Sequence, residues 1–134
     1  MANYGEGDAT LVAAGGEDGV RRLVDHFYTL MEREYGEIWR MHDATDLARD
    51  KLARFLIGWM GGPRRYHERY GRISIPEVHR HLTVSAPHRD AWLACMGRAC
   101  EAMAYPAELK NYLIEQLSYP AQRVHVFTTQ QGDQ

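Results

Sequence analysis

The sequence predicts a single all-α domain. Four stretches carry apolar residues at helical spacing, and only a short VHVF at 124–127 alternates as a strand would. A chain of 134 residues is long enough for one hydrophobic core and too short for two. The apolar positions of the four stretches are Val20, Leu23, Val24, Phe27, Leu30 and Met31; Leu47, Leu52, Phe55, Leu56 and Met60; Trp92, Cys95, Met96, Ala99, Cys100 and Met103; and Leu109, Tyr112, Leu113 and Leu117.

Composition limits the classes of partner. The net charge is -2 from 16 basic and 18 acidic residues, without a block of like charge, so we expect neither nucleic acid nor a membrane surface as a partner. A small or neutral ligand fits better. Cys95 and Cys100 have a poor spacing for a disulfide within a helical pattern, and no signal peptide or long apolar run precedes them. These features predict a cytoplasmic protein with reduced thiols.

Glycine and proline predict where the elements end. Residues 1–14 are rich in small and polar residues and predict a flexible N-terminal extension, residues 15–128 the folded domain, and residues 129–134 a flexible tail. Gly61-Gly62-Pro63 predicts the end of the second long helix. Pro106 is expected just inside the last helix and Pro120 just beyond its end. A long connection over roughly 61–87 therefore separates the second long helix from the third.

Part of this connection is predicted to be a short helix. Ser74 and Glu77 have the spacing of a capping box, and Pro76 is acceptable in a first helical turn. The apolar stripe of the short helix consists of Ile75, Val78 and Leu82.

Helical phase separates the three histidines of this region. His79 falls on the apolar stripe and is expected to face inward. His81, two residues on, is rotated by about 200° and is expected to face solvent. His88 lies in the PHRD turn that begins the next helix and is expected at the surface.

An inward histidine has several explanations. His79 could be a core residue whose ring is satisfied by one backbone carbonyl, or it could be a ligand. A closed zinc site needs four ligands, usually in close pairs, and the sequence has no such pair of pairs. Neither cysteine lies at a helix N-terminus, which argues against a thiol nucleophile. A flat apolar cofactor such as haem, held by one histidine, would fit a pocket next to Trp92, although Trp92 could equally be a core residue.

Several motifs, in order along the chain, resemble one family. The run from Gly16 to Tyr28, KLARFLIGWMGGPRRYHERYG at 51–71, then His79 and RDAWLACM at 89–96 are similar to the truncated haemoglobins of the second group, the O type. The resemblance covers roughly residues 15–120. It implies a two-over-two helical sandwich with haem b between the helix pairs.

The resemblance also implies roles for individual residues. His79, eight residues after Gly71 and thirteen before Trp92, matches the proximal haem iron ligand. Tyr28 and Trp92 match the distal residues that donate hydrogen bonds to the bound ligand. His42 matches a third distal position and is a second candidate iron ligand. The expected haem contacts are Phe27, Ala48, Lys51, Leu52, Phe55, Tyr66, Arg80, Leu82 and Met96.

The chain departs from the family pattern just before His79. The family commonly has G-H-P-x-L-x-x-R-H there, and this chain has GRISIPEVH, which lacks the arginine that often approaches a haem propionate. Arg72 and Arg80 are the candidate replacements.

The implied function is the binding of oxygen and other small ligands at a five- or six-coordinate iron. Converging donors slow ligand release, which favours chemistry on peroxide, nitric oxide or sulfide, or sensing, over oxygen delivery. Such chemistry includes peroxidase-like and nitric oxide dioxygenase-like side activities and requires a reductase or other electron donor. A monomer or homodimer is expected. The alternatives are a haem-free helical interaction module of globin descent and a metal-dependent enzyme.

Overall fold

The computed structural model describes residues 3–42 and 46–131, and all the regular elements in these ranges are helices. Four long helices stand where the apolar spacing predicts them, and four short helices connect or precede them. In chain order the helices are α1 Ala9–Ala13, α2 Gly16–Glu34, α3 Gly36–Trp39, α4 Asp46–Trp59, α5 Arg65–Tyr70, α6 Ile75–Val78, α7 Ala86–Ala102 and α8 Ala107–Gln131. The all-α prediction is confirmed.

The long helices form two packed pairs. Helix α2 packs against α4, α7 packs against α8, and α2 also lies against α7. Val20, Phe27 and Met31 on α2 are completely buried, as are Met96 and Cys100 on α7. The helical period of the apolar residues therefore positions both pairs around one core. Among the described helices, none combines the length and the apolar character needed to cross a membrane.

The N-terminal segment differs from the flexible extension expected over residues 1–14. Residues 9–13 form α1, and the side chains of Thr10 and Leu11 are buried. The Leu11 amide donates to the carbonyl oxygen of Met60 at 3.2 Å. Gly61 has a φ of +97°, and a β carbon there would lie 1.9 Å from the carbonyl oxygen of Gly7. Gly61, which follows the end of α4 as predicted, therefore also allows the N-terminal segment to pack closely against the end of that helix.

The last helix continues past Pro120, contrary to the prediction that it ends there. Helix α8 reaches Gln131 and includes the VHVF segment, which is helical. Proline removes one helical hydrogen bond, but Leu117, Val124 and Thr128 are buried at helical spacing on both sides of it. Burial of this face outweighs the lost bond. The predicted tail at 129–134 is helical through Gln131, and its last three residues lie outside the described ranges.

The short helix before His79 forms where predicted, but its capping box does not. Ser74 has an extended backbone and makes no capping hydrogen bond. The capping box is found instead at the start of α7, where the Ser85 hydroxyl accepts from the His88 amide and His88 Nδ1 accepts from the Ser85 amide, both at 3.2 Å. A histidine here replaces the usual glutamate or glutamine of the motif.

Candidate functional site

A cavity of about 350 Å³ lies between the helix pairs and is closed on one side by the segment around α6. Its lining is mostly apolar, which suits an apolar ligand held by a few polar groups. Ile75 and Val78 of α6 and Leu82 beyond its end all line the cavity, in agreement with the apolar stripe predicted from the sequence. The cavity also brings together ten of the thirteen site residues expected from the sequence: Tyr28, His42, Ala48, Lys51, Leu52, Phe55, Tyr66, His79, Leu82 and Trp92.

His79 lines this cavity and forms a hydrogen bond through only one of its two ring nitrogens. It closes the C-terminal end of α6, and its Nδ1 lies 2.6 Å from the carbonyl oxygen of Ile75, one turn earlier. Because a carbonyl oxygen only accepts, Nδ1 carries the proton and Nε2 keeps its lone pair. Burial lowers the pKa of His79, so the ring is neutral at neutral pH. A neutral imidazole oriented through its second nitrogen in this way is the form that ligates metals in proteins.

His42 has the same arrangement on another wall of the cavity. Its Nδ1 lies 2.7 Å from the carbonyl oxygen of Ile38, so Nδ1 is the donor and Nε2 has the free lone pair. Burial lowers the pKa of His42, although its hydrogen bond to the Ile38 carbonyl acts in the opposite direction. In this form His42 can ligate a metal or accept a hydrogen bond, but it cannot donate one through Nε2.

Tyr28 and Trp92 lie on the cavity wall on either side of Phe27. The Phe27 ring contacts both edge-on, with centroid distances of 5.4 Å to Tyr28 and 5.1 Å to Trp92. The Tyr28 ring is also 6.0 Å from the His42 ring, nearly perpendicular to it. Burial raises the pKa of Tyr28 to about 12, so its hydroxyl keeps its proton at neutral pH. Tyr28 and Trp92 thus contribute one hydrogen-bond donor each to the wall of the cavity, and Tyr28 lies next to His42.

Three expected contact residues do not line the cavity. Phe27 and Met96 are fully buried behind its wall, where Phe27 acts through the rings that it contacts. Arg80 is exposed, pairs with Glu77 and lies 5.9 Å from the Phe127 ring. Arg72 is also absent from the lining. Neither candidate replacement for the missing arginine reaches the cavity wall in this structure.

The cavity wall contains three polar residues that the sequence analysis left outside the site: His81, His88 and Arg89. His81 is exposed, as expected, yet it borders the cavity. His88 is partly buried, because the capping box holds its ring at the start of α7. Arg89 lies three residues before Trp92, so the two share one face of α7. This spacing is the sequence signal that would have identified Arg89.

The second half of α8 supplies four further wall residues. They follow the spacing i, i+3, i+4 and i+7 and are Leu117, Pro120, Ala121 and Val124. The predicted helix end at Pro120 leaves Ala121 and Val124 outside the helix, so this spacing is not part of the sequence prediction.

A second group of polar residues ties α5 to α4 at the cavity edge. The Tyr70 hydroxyl donates to Asp50 at 2.6 Å, and Asp50 also accepts from Arg54 at 2.8 Å and Arg21 at 3.2 Å. The Tyr70 ring lies 5.2 Å from the Tyr66 ring. Asp50 therefore holds α5, and with it Tyr66, next to the cavity.

Asp50→Asn is expected to reduce the free energy of unfolding by about 1 kcal/mol at pH 7, because its bonds to one hydroxyl and two guanidinium groups weaken. The Tyr70 hydroxyl holds the pKa of Asp50 below its ordinary value of 3.8. The carboxylate therefore stabilises the fold fully above that value and loses this effect as the pH falls through the lower folded value. Urea unfolding between pH 7 and pH 3 should show the two proteins converging in acid.

Asp25→Asn provides the matched control, since Asp25 is exposed and accepts one bond from Arg49 at 3.0 Å. It should change stability little. A constant difference between Asp50→Asn and the unaltered protein at every pH would contradict the assignment.

Metal-binding side chains do not cluster in the part of the chain that the structure describes. No three histidine, cysteine, aspartate or glutamate side chains there converge to hold a metal ion. Haem fits this donor set, because the porphyrin provides four nitrogen ligands to the iron. The iron then needs only one or two ligands from the protein. His79 and His42, each with a free Nε2 at the apolar cavity, are residues of the required kind.

Two packed helix pairs around an apolar cavity with such a histidine define the two-on-two class of globins. The chain belongs to the bacterial-like globin family, whose model matches residues 11–126. Haem as the cofactor and small-ligand binding as the general function follow from this membership.

The similar proteins are truncated haemoglobins of the second group. Group 2 truncated hemoglobin YjbI of Bacillus subtilis is 29% identical over 110 residues, which are 81% of this chain and 83% of that protein. The crystal structure of the group II truncated hemoglobin from Bacillus anthracis is 28% identical, with a TM-score of 0.78, and the match covers 86% of this chain and 88% of that one. The resemblance found in the sequence is therefore confirmed.

A third similar structure is the truncated oxygen-avid haemoglobin from Bacillus subtilis. It is 25% identical with a TM-score of 0.76, and the match covers 86% of this chain and 97% of that chain.

Proposed function

We propose that the protein binds haem b in this cavity through His79 and acts on small ligands, such as peroxide, nitric oxide or sulfide, or senses them, rather than delivering oxygen. The observation that carries the proposal is the state of His79: a neutral ring, tied to the Ile75 carbonyl at 2.6 Å, with Nε2 free at an apolar cavity. When bound, haem would be held by His79 and would supply an iron that can take a small ligand.

Two donors retain the ligand. The Tyr28 hydroxyl stays protonated at neutral pH, since its pKa is about 12, and the Trp92 indole is a donor at any pH. One hydrogen bond from each, at roughly 1 to 1.5 kcal/mol net, slows ligand release by about tenfold per donor. Slow release suits chemistry or sensing better than delivery. The similarity to a haemoglobin described as oxygen-avid supports the same preference.

The test of this proposal is an absorption spectrum of purified protein mixed with haemin, in ferric and ferrous states, with and without oxygen. A sharp Soret band and a stable oxygen adduct are expected. Absence of a Soret band would favour the haem-free interaction module instead, and zinc without iron in the purified protein would favour a metal-dependent enzyme.

We expect His42 to coordinate the ferric iron as a sixth ligand when no external ligand is present, because its free Nε2 faces the same cavity as that of His79. The ferric spectrum at neutral pH should then be low-spin, and His42→Ala should convert it to a water-bound high-spin form. A spectrum that is high-spin in both proteins would contradict this coordination.

Arg89→Ala is expected to accelerate haem release by about tenfold, since a charge-assisted bond to a haem propionate is worth about 1.5 kcal/mol. Arg89 is the guanidinium on the cavity wall; it contacts Asp90 and Gln122 through Nε and Nη1 and has further donors to offer. We propose that it replaces the arginine missing before His79. Transfer of haem to an apomyoglobin acceptor would measure the rate.

Arg80→Ala is the matched control, because Arg80 is exposed and does not line the cavity. Its haem release should equal that of the unaltered protein. With haemin dimethyl ester, which has no free carboxylates, the effect of Arg89→Ala should disappear. An unchanged difference with the ester would show that Arg89 acts through packing alone.

Reductive ligand chemistry also requires electrons, so we propose an external electron donor and a protein that works in the cytoplasm as a monomer or homodimer. Cys95 and Cys100 are both buried and free. Burial raises the pKa of Cys95 to about 12 and that of Cys100 to about 11, so both thiols stay protonated. Free thiols of this kind support a reducing compartment.

A further inference from the structure

Two side chains of α8 hold one residue of the segment that follows His79. The Val84 amide donates to Thr128 Oγ1 at 2.9 Å, and the Val84 carbonyl accepts from His125 Nδ1 at 2.7 Å. Thr128 is 1% exposed, so its hydroxyl is committed to contacts inside the protein. We name Val84, His125 and Thr128 the Val84 clamp.

The clamp acts on a segment that has little regular structure. Residues 82–85 lie between the turn after α6 and the start of α7 and belong to no helix. An irregular segment keeps its place only if its backbone groups find partners. At Val84 both backbone groups are satisfied by side chains of another element, which fixes this point of the segment against α8.

Only a short stretch of chain separates the clamp from His79. The Leu82 amide donates to the His79 carbonyl at 2.9 Å and closes a turn over residues 79–82. Val84 follows two residues later. Helix α6 also packs directly against α8. Two contacts with α8 therefore fix the position of the His79 backbone: the packing of α6 before it and the hydrogen bonds of Val84 after it.

The clamp residues also continue the cavity wall. Pro120 and Val124 line the cavity, and His125 and Thr128 lie in the next turn of the same helix. The part of α8 beyond Pro120 therefore has two roles. It contributes residues to the cavity wall, and it holds the segment that follows His79 in place.

We propose that His125 and Thr128 are positioning residues for His79, setting through Val84 how far the His79 imidazole reaches into the cavity and hence how strongly it binds the haem iron. This role rests on the proposed function. A purely structural alternative is that the clamp only docks the end of α8, which would change stability without changing the bond from His79.

The test compares Thr128→Val and His125→Phe, each of which removes one clamp bond and keeps side-chain bulk. Thr128→Ser, which retains the hydroxyl, is the conservative control. Thr129→Val is the matched control, because the Thr129 hydroxyl donates at 2.7 Å to the His125 carbonyl within α8 and does not reach Val84. The readouts on the haem-loaded protein are the iron–histidine stretching band in resonance Raman spectra and the rate of haem release.

Both clamp variants should lower and broaden the iron–histidine band and speed haem release by about threefold to tenfold. Both controls should match the unaltered protein. In a His79→Gly background reconstituted with imidazole, the ligand is no longer tethered to the segment, so Thr128→Val should have no effect on the iron–imidazole band. Equal effects in Thr129→Val, or an effect that persists with free imidazole, would overturn the positioning role.

Amide hydrogen exchange of the haem-free protein gives a readout that needs no iron. The Val84 amide should exchange faster in Thr128→Val than in Thr129→Val, and equal rates would overturn the clamp itself. If the unaltered protein shows no Soret band, the proposed function fails and the positioning role fails with it. A normal Soret band with an unchanged iron–histidine band in both clamp variants overturns the positioning role alone.

Discussion

Protein carrying His79→Gly is expected to lose its Soret band on mixing with haemin and to regain a sharp band when excess imidazole is added. The substitution removes the ring directly after α6, which lines the cavity and uses only Nδ1 in its bond to the Ile75 carbonyl. Even second-sphere changes at metal sites weaken binding by 10- to 100-fold, so loss of the ligand itself should cost more than about 100-fold in haem affinity. Absorption titration with haemin would measure this loss.

Recovery with imidazole separates coordination from folding. Glycine leaves room for a free imidazole where the ring stood, so the same protein can be measured with and without a nitrogen ligand. His81→Gly is the matched control, because His81 lies two residues on, borders the cavity and is exposed. A Soret band that survives in His79→Gly and disappears in His81→Gly would show that the helical phase had selected the wrong histidine.

The side of the chain on which His79 lies could be predicted from the sequence, because it follows from the local spacing of apolar residues. On the predicted helix, Ile75, Val78 and Leu82 share one face, and a residue four positions after Ile75 shares it too. The observed helix α6 is shorter and ends at Val78, directly before His79. The structure places all four on the cavity wall. The hydrogen bond from Nδ1 to the Ile75 carbonyl is also local, since it spans one turn.

The clamp residues could not be selected in this way, because their roles depend on how separate helices pack. Arg89 shares a helix face with Trp92, which the sequence shows, but its hydrogen bond to Gln122 of α8 is not visible in the sequence. Thr128 meets Val84 across 44 residues of chain. No pattern within either segment indicates that the two will be neighbours.

Pro120 illustrates a local rule that tertiary structure overrides. Proline is a strong stop signal when the following residues gain nothing from remaining helical. Here Val124 and Thr128 are buried when the helix continues, and Pro120 itself lines the cavity. The prediction that the helix ends at Pro120 follows from the proline alone and leaves out the apolar spacing after it. The same omission concealed one wall of the site and the clamp.

Tyr28→Phe and Trp92→Phe are each expected to speed oxygen dissociation from the ferrous haem protein by about tenfold, since each removes one donor worth roughly 1 to 1.5 kcal/mol. Tyr28→Phe keeps the ring that packs on Phe27 and His42 and loses only the hydroxyl. Stopped-flow measurement of oxygen dissociation would give both rates, and haem binding should remain intact.

Carbon monoxide separates hydrogen bonding from packing in the same two variants. It is similar in size to oxygen but a much poorer hydrogen-bond acceptor, so a change in packing should alter the dissociation of both gases, and loss of a donor should alter mainly that of oxygen. An oxygen dissociation rate that is unchanged in Trp92→Phe would show that the indole acts only through packing.

The double variant Tyr28→Phe and Trp92→Phe tests whether both donors bond the same ligand. If they do, the free energy of ligand retention that the double variant loses should be smaller than the sum of the two single losses, because groups that share a partner are not independent. Additive losses would instead mean that Tyr28 and Trp92 act on the ligand separately, although Phe27 touches both rings.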